Sequence, residues 1–311
     1  MSDQLNSTLP TAAAAYDADR ALEKIRVARA WLIGASAGNI TEEVAAYVAA
    51  VGPVLARQQL IEGTAPLEVA ALIDVGRATD DTLVAGARIG ARLVIPEDAE
   101  WPTALNAQGV LAPLGLWVRG LSQLHHVVDR AVAVIGSRAS TAYGEHVASE
   151  IGQGLAGYGW TVISGGGYGI EAAAHRGAIA APGITVVVTA GGLDRPYPSA
   201  HTALFERVID VGGLLVSQYP LGAAPLSVRF RRRSALVAAL SAAVVVVEAA
   251  ARSGALSAVY AAQAIGRPVF VVPGPVTSAC SVGCHVLLTS GEARLVTAAA
   301  DVLSALTARS A

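Results

Sequence analysis

The chain has 311 residues, 53% of them hydrophobic and 15% charged, with a formal net charge of −2. That length accommodates a large core with a smaller domain beside it, in the composition of an α/β protein with a buried parallel sheet. The near-neutral balance excludes a globally basic nucleic-acid binder, so any DNA or RNA site must be a local patch.

The N-terminus carries acidic residues and lacks an apolar core behind basic ones, which argues against a signal peptide. Two cysteines, Cys280 and Cys284, make no secreted disulfide framework. The longest apolar stretch, Ser234 to Val247, falls short of the ~20 residues that span a bilayer and reads as a core helix running into a core strand. The sequence therefore predicts a cytoplasmic protein with no membrane contact.

Taken in order, residues 1–18 read as a disordered tail. Residues 19–88 show helical periodicity interrupted by Gly34, Gly38, Gly52-Pro53 and Gly63, which predicts a small all-helical domain comparable to a SAM or helix-hairpin-helix module. Its charges, among them Arg20, Lys24, Arg26, Arg29 and Arg57, fit solvated faces, although modules of this size also touch nucleic-acid backbones. Residues 89–311 form the main domain. Prolines 96, 102 and 113 punctuate its approach, LGLWVRG reads as a short edge strand, and His125-His126 as surface residues.

Residues 131–176 are the organising unit. Ala131 to Ile135 is a continuous apolar run, as in a strand buried on both faces, and Gly136-Ser137-Arg138 stops it. Val147, Ile151, Leu155 and Tyr158 then lay one helical stripe on the sheet. Trp160 to Ile163 is a second strand, and Ser164-Gly165-Gly166-Gly167-Tyr168-Gly169 turns into a helix. The alternation continues with strands at Ile184–Thr189, Leu214–Ser217, Ala243–Val247 and Val269–Val272, and helices at His201–Ile209 and Ser253–Ile265. Such alternation predicts an α/β fold with a doubly wound parallel sheet, whose ligands bind beyond the strands' carboxyl ends.

Four stretches could carry chemistry. The two glycine turns present backbone N–H groups and helix N-termini to one volume suited to a phosphate, with Arg138 as a fork donor at the rim. Glycine turns also serve tight βα connections that need positive φ. The chain lacks both G-x-G-x-x-G after its first strand and G-x-x-x-x-G-K-[ST], and its one lysine, Lys24, is remote, so a dinucleotide dehydrogenase or a P-loop NTPase is disfavoured. Arg229-Phe230-Arg231-Arg232-Arg233 is a dense basic cluster, predicted to be exposed or bound to an anion because so many guanidinium groups resist burial. It offers phosphate neutralisation and a stacking ring at Phe230; the alternative is a solvated helix start with Phe230 as core anchor. Ser253-Gly254 after Glu248 adds a third helix start at the same sheet edge. Cys280-x-x-x-Cys284-His285 lacks a fourth metal ligand and reads as packed cysteines. No nucleophile–base pair stands out, which favours binding over catalysis, with no cofactor or metal.

The ordered set GSR at 136–138, SGGGYGIE at 164–171, GGLDRPYP at 191–198, RFRRRSALVAALS at 229–241, VVVVEAAARSGAL at 244–256 and GRPVFVVPGP at 266–275 resembles the DNA-processing protein A family (DprA, also called Smf). The match runs from about Arg92 to Asp301. The resemblance implies an extended Rossmann-like domain that binds single-stranded DNA in natural transformation, protects incoming strands and helps load the RecA recombinase, acting as a homodimer without catalysis. It implies a DNA pocket lined by Arg138, by Ser164, Gly165 and Gly166, and by the basic stretch of Arg231, Arg232 and Arg233; the turns and the helix start read from the residues add Gly136, Ser137, Gly169, Phe230, Ser253 and Gly254 to the candidate DNA- and phosphate-binding set. Three positions depart from the family pattern: Glu171 replaces an aspartate, Arg233-Ser234-Ala235 replaces an Arg-Asn-Arg triplet, and Ser199 replaces a lysine. No winged-helix domain is expected after Asp301. A second resemblance is to LOG-type nucleoside monophosphate phosphoribohydrolases, which share this sheet and in which a glutamate placed like Glu171 assists glycosidic cleavage.

Overall fold

The computed structural model describes residues 12–106 and 112–310. Among the described residues, five α-helices come before the first strand: α1 (Ala12–Ala35), α2 (Glu42–Val51), α3 (Pro53–Glu62), α4 (Leu67–Ala70) and α5 (Thr82–Arg88). Helix α1 begins seven residues earlier than the predicted end of the tail would allow, because its alanine-rich start favours the helix. Residues 12–18 are thus helical, and the remainder of the predicted tail, 1–11, lies outside the described residues. Among the described residues no single helix is long and apolar enough to cross a membrane. Helices α2 and α3 meet at 111° and bury Val44, Val48, Ala56 and Leu60.

The main domain continues as β1 (Ala91–Val94), β2 (Leu116–Arg119), α6 (Leu124–Asp129), β3 (Ala131–Ile135), α7 (Ala142–Gly157), β4 (Thr161–Gly165), α8 (Ile170–Ala180) and β5 (Thr185–Val188). After these come α9 (Thr202–Asp210), β6 (Leu214–Ser217), α10 (Ser227–Ala239), β7 (Ala243–Val246), α11 (Leu256–Ala264), β8 (Val269–Val271), α12 (Val282–Thr289), β9 (Arg294–Leu295) and α13 (Ala299–Ser310). The described strands form one nine-stranded sheet in the order β1-β2-β6-β5-β4-β3-β7-β8-β9. Pairing is parallel from β6 through β9 and antiparallel at β1–β2 and β2–β6. The chain winds outward from β3 to β6, then returns to the other side of β3 with β7. The topological switch point therefore lies between the carboxyl ends of β3 and β7.

Alternation along β3 sends Ala133 and Ile135 into a core with α10 and α11, while Val132 and Val134 face α7 and α8. Helices α7 and α8 touch backbone to backbone through glycine. A Cβ added to Gly177 would stand 2.7 Å from the carbonyl carbon of Ser149, and Gly152 lies against Ala174 in the reciprocal sense.

Three predictions are corrected. The LGLWVRG strand, β2, is not at the edge, because β1 lies outside it; a four-residue strand holding Arg92 and ending near Pro96 has too little pattern to announce itself. The predicted boundary at residues 88 and 89 is crossed by a single core, in which Trp31, Leu32 and Ile33 of α1 join Leu93, Trp117, Val187 and Leu215 of the sheet. The basic cluster is partly interior: Arg229 and Arg233 are 5% and 7% exposed. Arg229 donates from Nη1 to Ala224 O (2.8 Å) and from Nη2 to Ala37 O (2.9 Å) and lies over the Tyr219 ring, so acceptors meet its two terminal nitrogens.

At the sheet's margins, the Leu93 carbonyl on β1 accepts from Arg26 Nε (3.3 Å), and β9 is a two-residue exposed strand bearing Arg294.

Candidate functional site

At the switch point opens a cavity of about 420 Å³. It is lined on one side by Gly136, Ser137 and Arg138 after β3, on another by Phe230, Arg231 and Arg233 of α10, and on a third by Ser253 and Gly254 after β7. Segments far apart in sequence thus converge as the doubly wound topology requires.

Within this wall the arginines divide by helical phase. Arg138 and Arg231 are exposed, and among the described residues neither carries an ion pair. Arg233 is buried against Glu171, with its Nη2 donating to Oε1 (2.7 Å) and its Nη1 to Oε2 (3.2 Å). The guanidinium carbons of Arg138 and Arg233 lie 4.7 and 5.4 Å from the Phe230 ring centroid, so that ring supports two cations. Arg232 turns away: its Nη1 donates to Ile40 O (3.1 Å), and its side chain faces a separate cavity beside α1. Counting Glu171 against Arg138, Arg231 and Arg233, the pocket keeps a positive excess.

The two helix N-termini predicted to cradle phosphate hold the protein's own carboxylates. At the start of α7, Glu248 accepts from Thr141 N–H (2.9 Å) and Thr141 O–H (2.6 Å), and its backbone carbonyl accepts from Ser137 N–H (2.7 Å). Glu248 is 2% exposed, and a Cβ on Gly144 would collide with its carboxylate. At the start of α8, Gly167 N–H donates to Glu171 Oε2 (2.7 Å). A carboxylate at a helix N-terminus is stabilised by the same N–H groups and dipole that favour a phosphate there. Glu248 therefore fixes the GSR turn, a role for which the sequence offered only an acidic residue closing an apolar strand.

The Ser164-Gly165-Gly166 turn lies behind the pocket. Ser164 is fully buried and donates to Val134 O (2.6 Å). Gly165 makes room for the ion pair: a Cβ there would stand 2.6 Å from Glu171 Oε2. Gly169, at φ +69, packs on the Ser137 and Arg138 carbonyls and joins the two turns. Two histidines hold this turn from below, His175 Nε2 donating to Gly165 O (2.9 Å) and His201 Nδ1 to Gly166 O (2.9 Å).

Burial drives His175 from an ordinary pKa of 6.5 down to about 4, with the Gly165 bond opposing the shift, so the ring is neutral near pH 7. The unfolded chain binds a proton near 6.5 that the folded state refuses until about 4. Stability is therefore complete above the first value and declines as pH falls toward the second, by up to about 1.4 kcal/mol per pH unit. Urea melts at stepped pH should record that decline, and a His175→Gln variant should flatten it.

Cys284 is buried with its thiol pushed up to about 11 by burial, Cys280 is half-buried, and His285 bonds Gly274 O. No group of three metal-binding side chains occurs among the described residues.

The chain matches the family model of DNA recombination-mediator protein A over residues 92–307. A DprA-type DNA processing protein of Mycobacterium tuberculosis is 46% identical over 291 residues, 89% of this chain and 74% of its own. Protein Smf of Escherichia coli K12 is 39% identical over 214 residues, 68% of this chain and 56% of its own. Among solved structures, DNA processing protein A of Streptococcus pneumoniae superposes with a TM-score of 0.72 at 29% identity, covering 91% of this chain and 96% of that one. DNA processing protein A of Helicobacter pylori, described for its single-stranded DNA binding mode, gives a TM-score of 0.61 at 27% identity over 70% and 96%.

Proposed function

The chain belongs to the DNA recombination-mediator protein A family, and from that premise we propose that it binds single-stranded DNA in the pocket between β3 and β7. Membership places it among DNA-processing proteins, and a role in transformation that needs no catalysis is part of the reading. The observation that carries the reading is the convergence on one cavity at the switch point of Phe230 with Arg138 and Arg231, both exposed and without an ion pair among the described residues. A guanidinium with no carboxylate of its own meets a phosphate without first losing a partner. In the cell the protein holds incoming strands in the cytoplasm as a homodimer and passes them to RecA.

The glycosidic-cleavage alternative needs a carboxylate free to reach a substrate. Glu171 is bound to Arg233 and to Gly167 N–H and is 6% exposed, which supports binding instead.

Fluorescence anisotropy with a labelled oligothymidylate tests the proposal. Affinity should fall steeply with salt, and Arg138→Ala should weaken it about tenfold while lowering the slope of log K against log salt by about 0.7. Binding that is absent, or indifferent to salt, would remove the assignment.

A further inference from the structure

Helix α10 stands between the cationic pocket and another cavity, of about 490 Å³. Phe230, Arg231 and Arg233 line the first; Arg232, Ala235 and Leu236 line the second. Ile33 of α1, Leu114 ahead of β2 and Ile265 behind α11 complete its apolar walls. Ile33, Leu114 and Leu236 are buried and fixed in the protein's cores, so these walls keep their shape without an occupant. The size and the apolar lining are usual for a small-molecule site.

Among the described lining residues the only polar side chains are Gln218 and Arg232, with no carboxylate and no aromatic ring. Gln218 Nε2 donates to Tyr219 Oη (3.0 Å). Arg232 is half-buried, and its Nη1 donates to Ile40 O (3.1 Å). A neutral carbonyl leaves that charge uncompensated, and Arg232 has no ion pair among the described residues.

This lining sorts ligands by chemistry. A guanidinium with no carboxylate nearby repels cations and metal ions. A nucleotide or other polyanion needs more than one cation, and a base finds no ring to stack on. A sugar or other polar neutral molecule would lose its hydration against aliphatic walls that offer few replacements. An aliphatic body carrying one negative group gains on both counts, by leaving water along the walls and by meeting the guanidinium.

We infer that the cavity between α1, α10 and α11 is a binding site for a small apolar monoanion, with its aliphatic body against Ile33, Leu114, Leu236 and Ile265 and its carboxylate on Arg232. The occupant would join the loop after α1 to α10 and α11, tightening the seam between the N-terminal helices and the sheet. The site is independent of the strand-binding pocket.

Octanoate and 1-octanol, equal in chain length and kept below the concentrations at which they aggregate, are titrated into the full chain by calorimetry, with thermal melts in parallel. Octanoate should bind one per chain and raise the melting temperature with concentration. The alcohol should bind about tenfold more weakly, for want of a charge-assisted hydrogen bond. Arg232→Gln should cost octanoate about tenfold and leave the alcohol unchanged, with Arg232→Met standing in if melting shows the glutamine variant unfolded. Ala235→Phe, which fills the cavity, should remove both ligands, and Ala264→Phe replaces it if it does not fold. Arg138→Ala, in the other pocket, should bind octanoate like wild type. The inference is overturned by a wild type that does not bind octanoate or binds the alcohol equally well. It is overturned equally by wild-type octanoate affinity in the Arg232 or cavity-filled variants, or by its loss in Arg138→Ala, which would move the acid to the cationic pocket.

Discussion

Glu171→Gln should lower the free energy of unfolding by about 3–5 kcal/mol, the cost of removing one partner from a buried ion pair. The two side chains are 9% and 7% exposed, so solvent does little to screen the loss. Arg233 cannot shed its proton to escape, and its Nε already lacks a hydrogen-bond partner. The variant would keep a charged guanidinium in the wall between the glycine turn and α10 with one amide oxygen for company. A double variant, Glu171→Leu with Arg233→Met, should recover most of the loss, because an apolar pair of similar volume restores packing without desolvated charge. Urea denaturation of Glu171→Leu, Arg233→Met and the double closes the cycle. Additive losses would show that the pair is not coupled and that the geometry at the pocket's rear wall has another source.

Gly177→Ala should destabilise by about 3 kcal/mol, the upper part of the range for an overpacked core, against a helix-propensity preference for alanine of about 1 kcal/mol. The sign is decided by geometry. The added methyl group would meet the backbone of Ser149 on α7, with the carbonyl carbon 2.7 Å away. A carbonyl within a helix cannot rotate aside as a side chain can, so the two helices must part. Gly157→Ala at the end of α7 is the matched control, since a Cβ there meets nothing within 4 Å. It should be neutral or slightly stabilising, and thermal melts of the two variants should differ in direction.

Much of the main domain was legible because continuous apolar runs such as Ala131–Ile135 and Leu214–Ser217 have few alternatives to a doubly buried strand. The convergence of Arg138, Phe230 and Ser253 was legible too, since winding order alone brings the ends of β3 and β7 together. What fills the helix N-termini was not. Glu248 reaches Thr141 across 107 residues and Glu171 reaches Arg233 across 62, and no local pattern encodes such a meeting. Glycine turns shaped for an anion look alike whether that anion is a phosphate or an internal carboxylate. The fate of the basic cluster lay in helical phase: positions 229 and 233 share an inward face with Leu236, while Arg231 points out. Reading the five residues as a charge density concealed this. The merging of the N-terminal helices with the sheet was hidden for a related reason, because Trp31 and Ile33 announce a buried helix face but not the surface they meet.

The way the sheet ends limits how copies of the chain can associate. On one margin a guanidinium caps an outward carbonyl, and on the other the ladder stops after two residues with a cation at its tip. Neither offers the long row of free donors and acceptors on which one sheet can continue into another. Any association of copies would therefore have to use helix or loop surfaces, with each sheet remaining separate, and crowding should not draw the protein into cross-strand fibres while it stays folded.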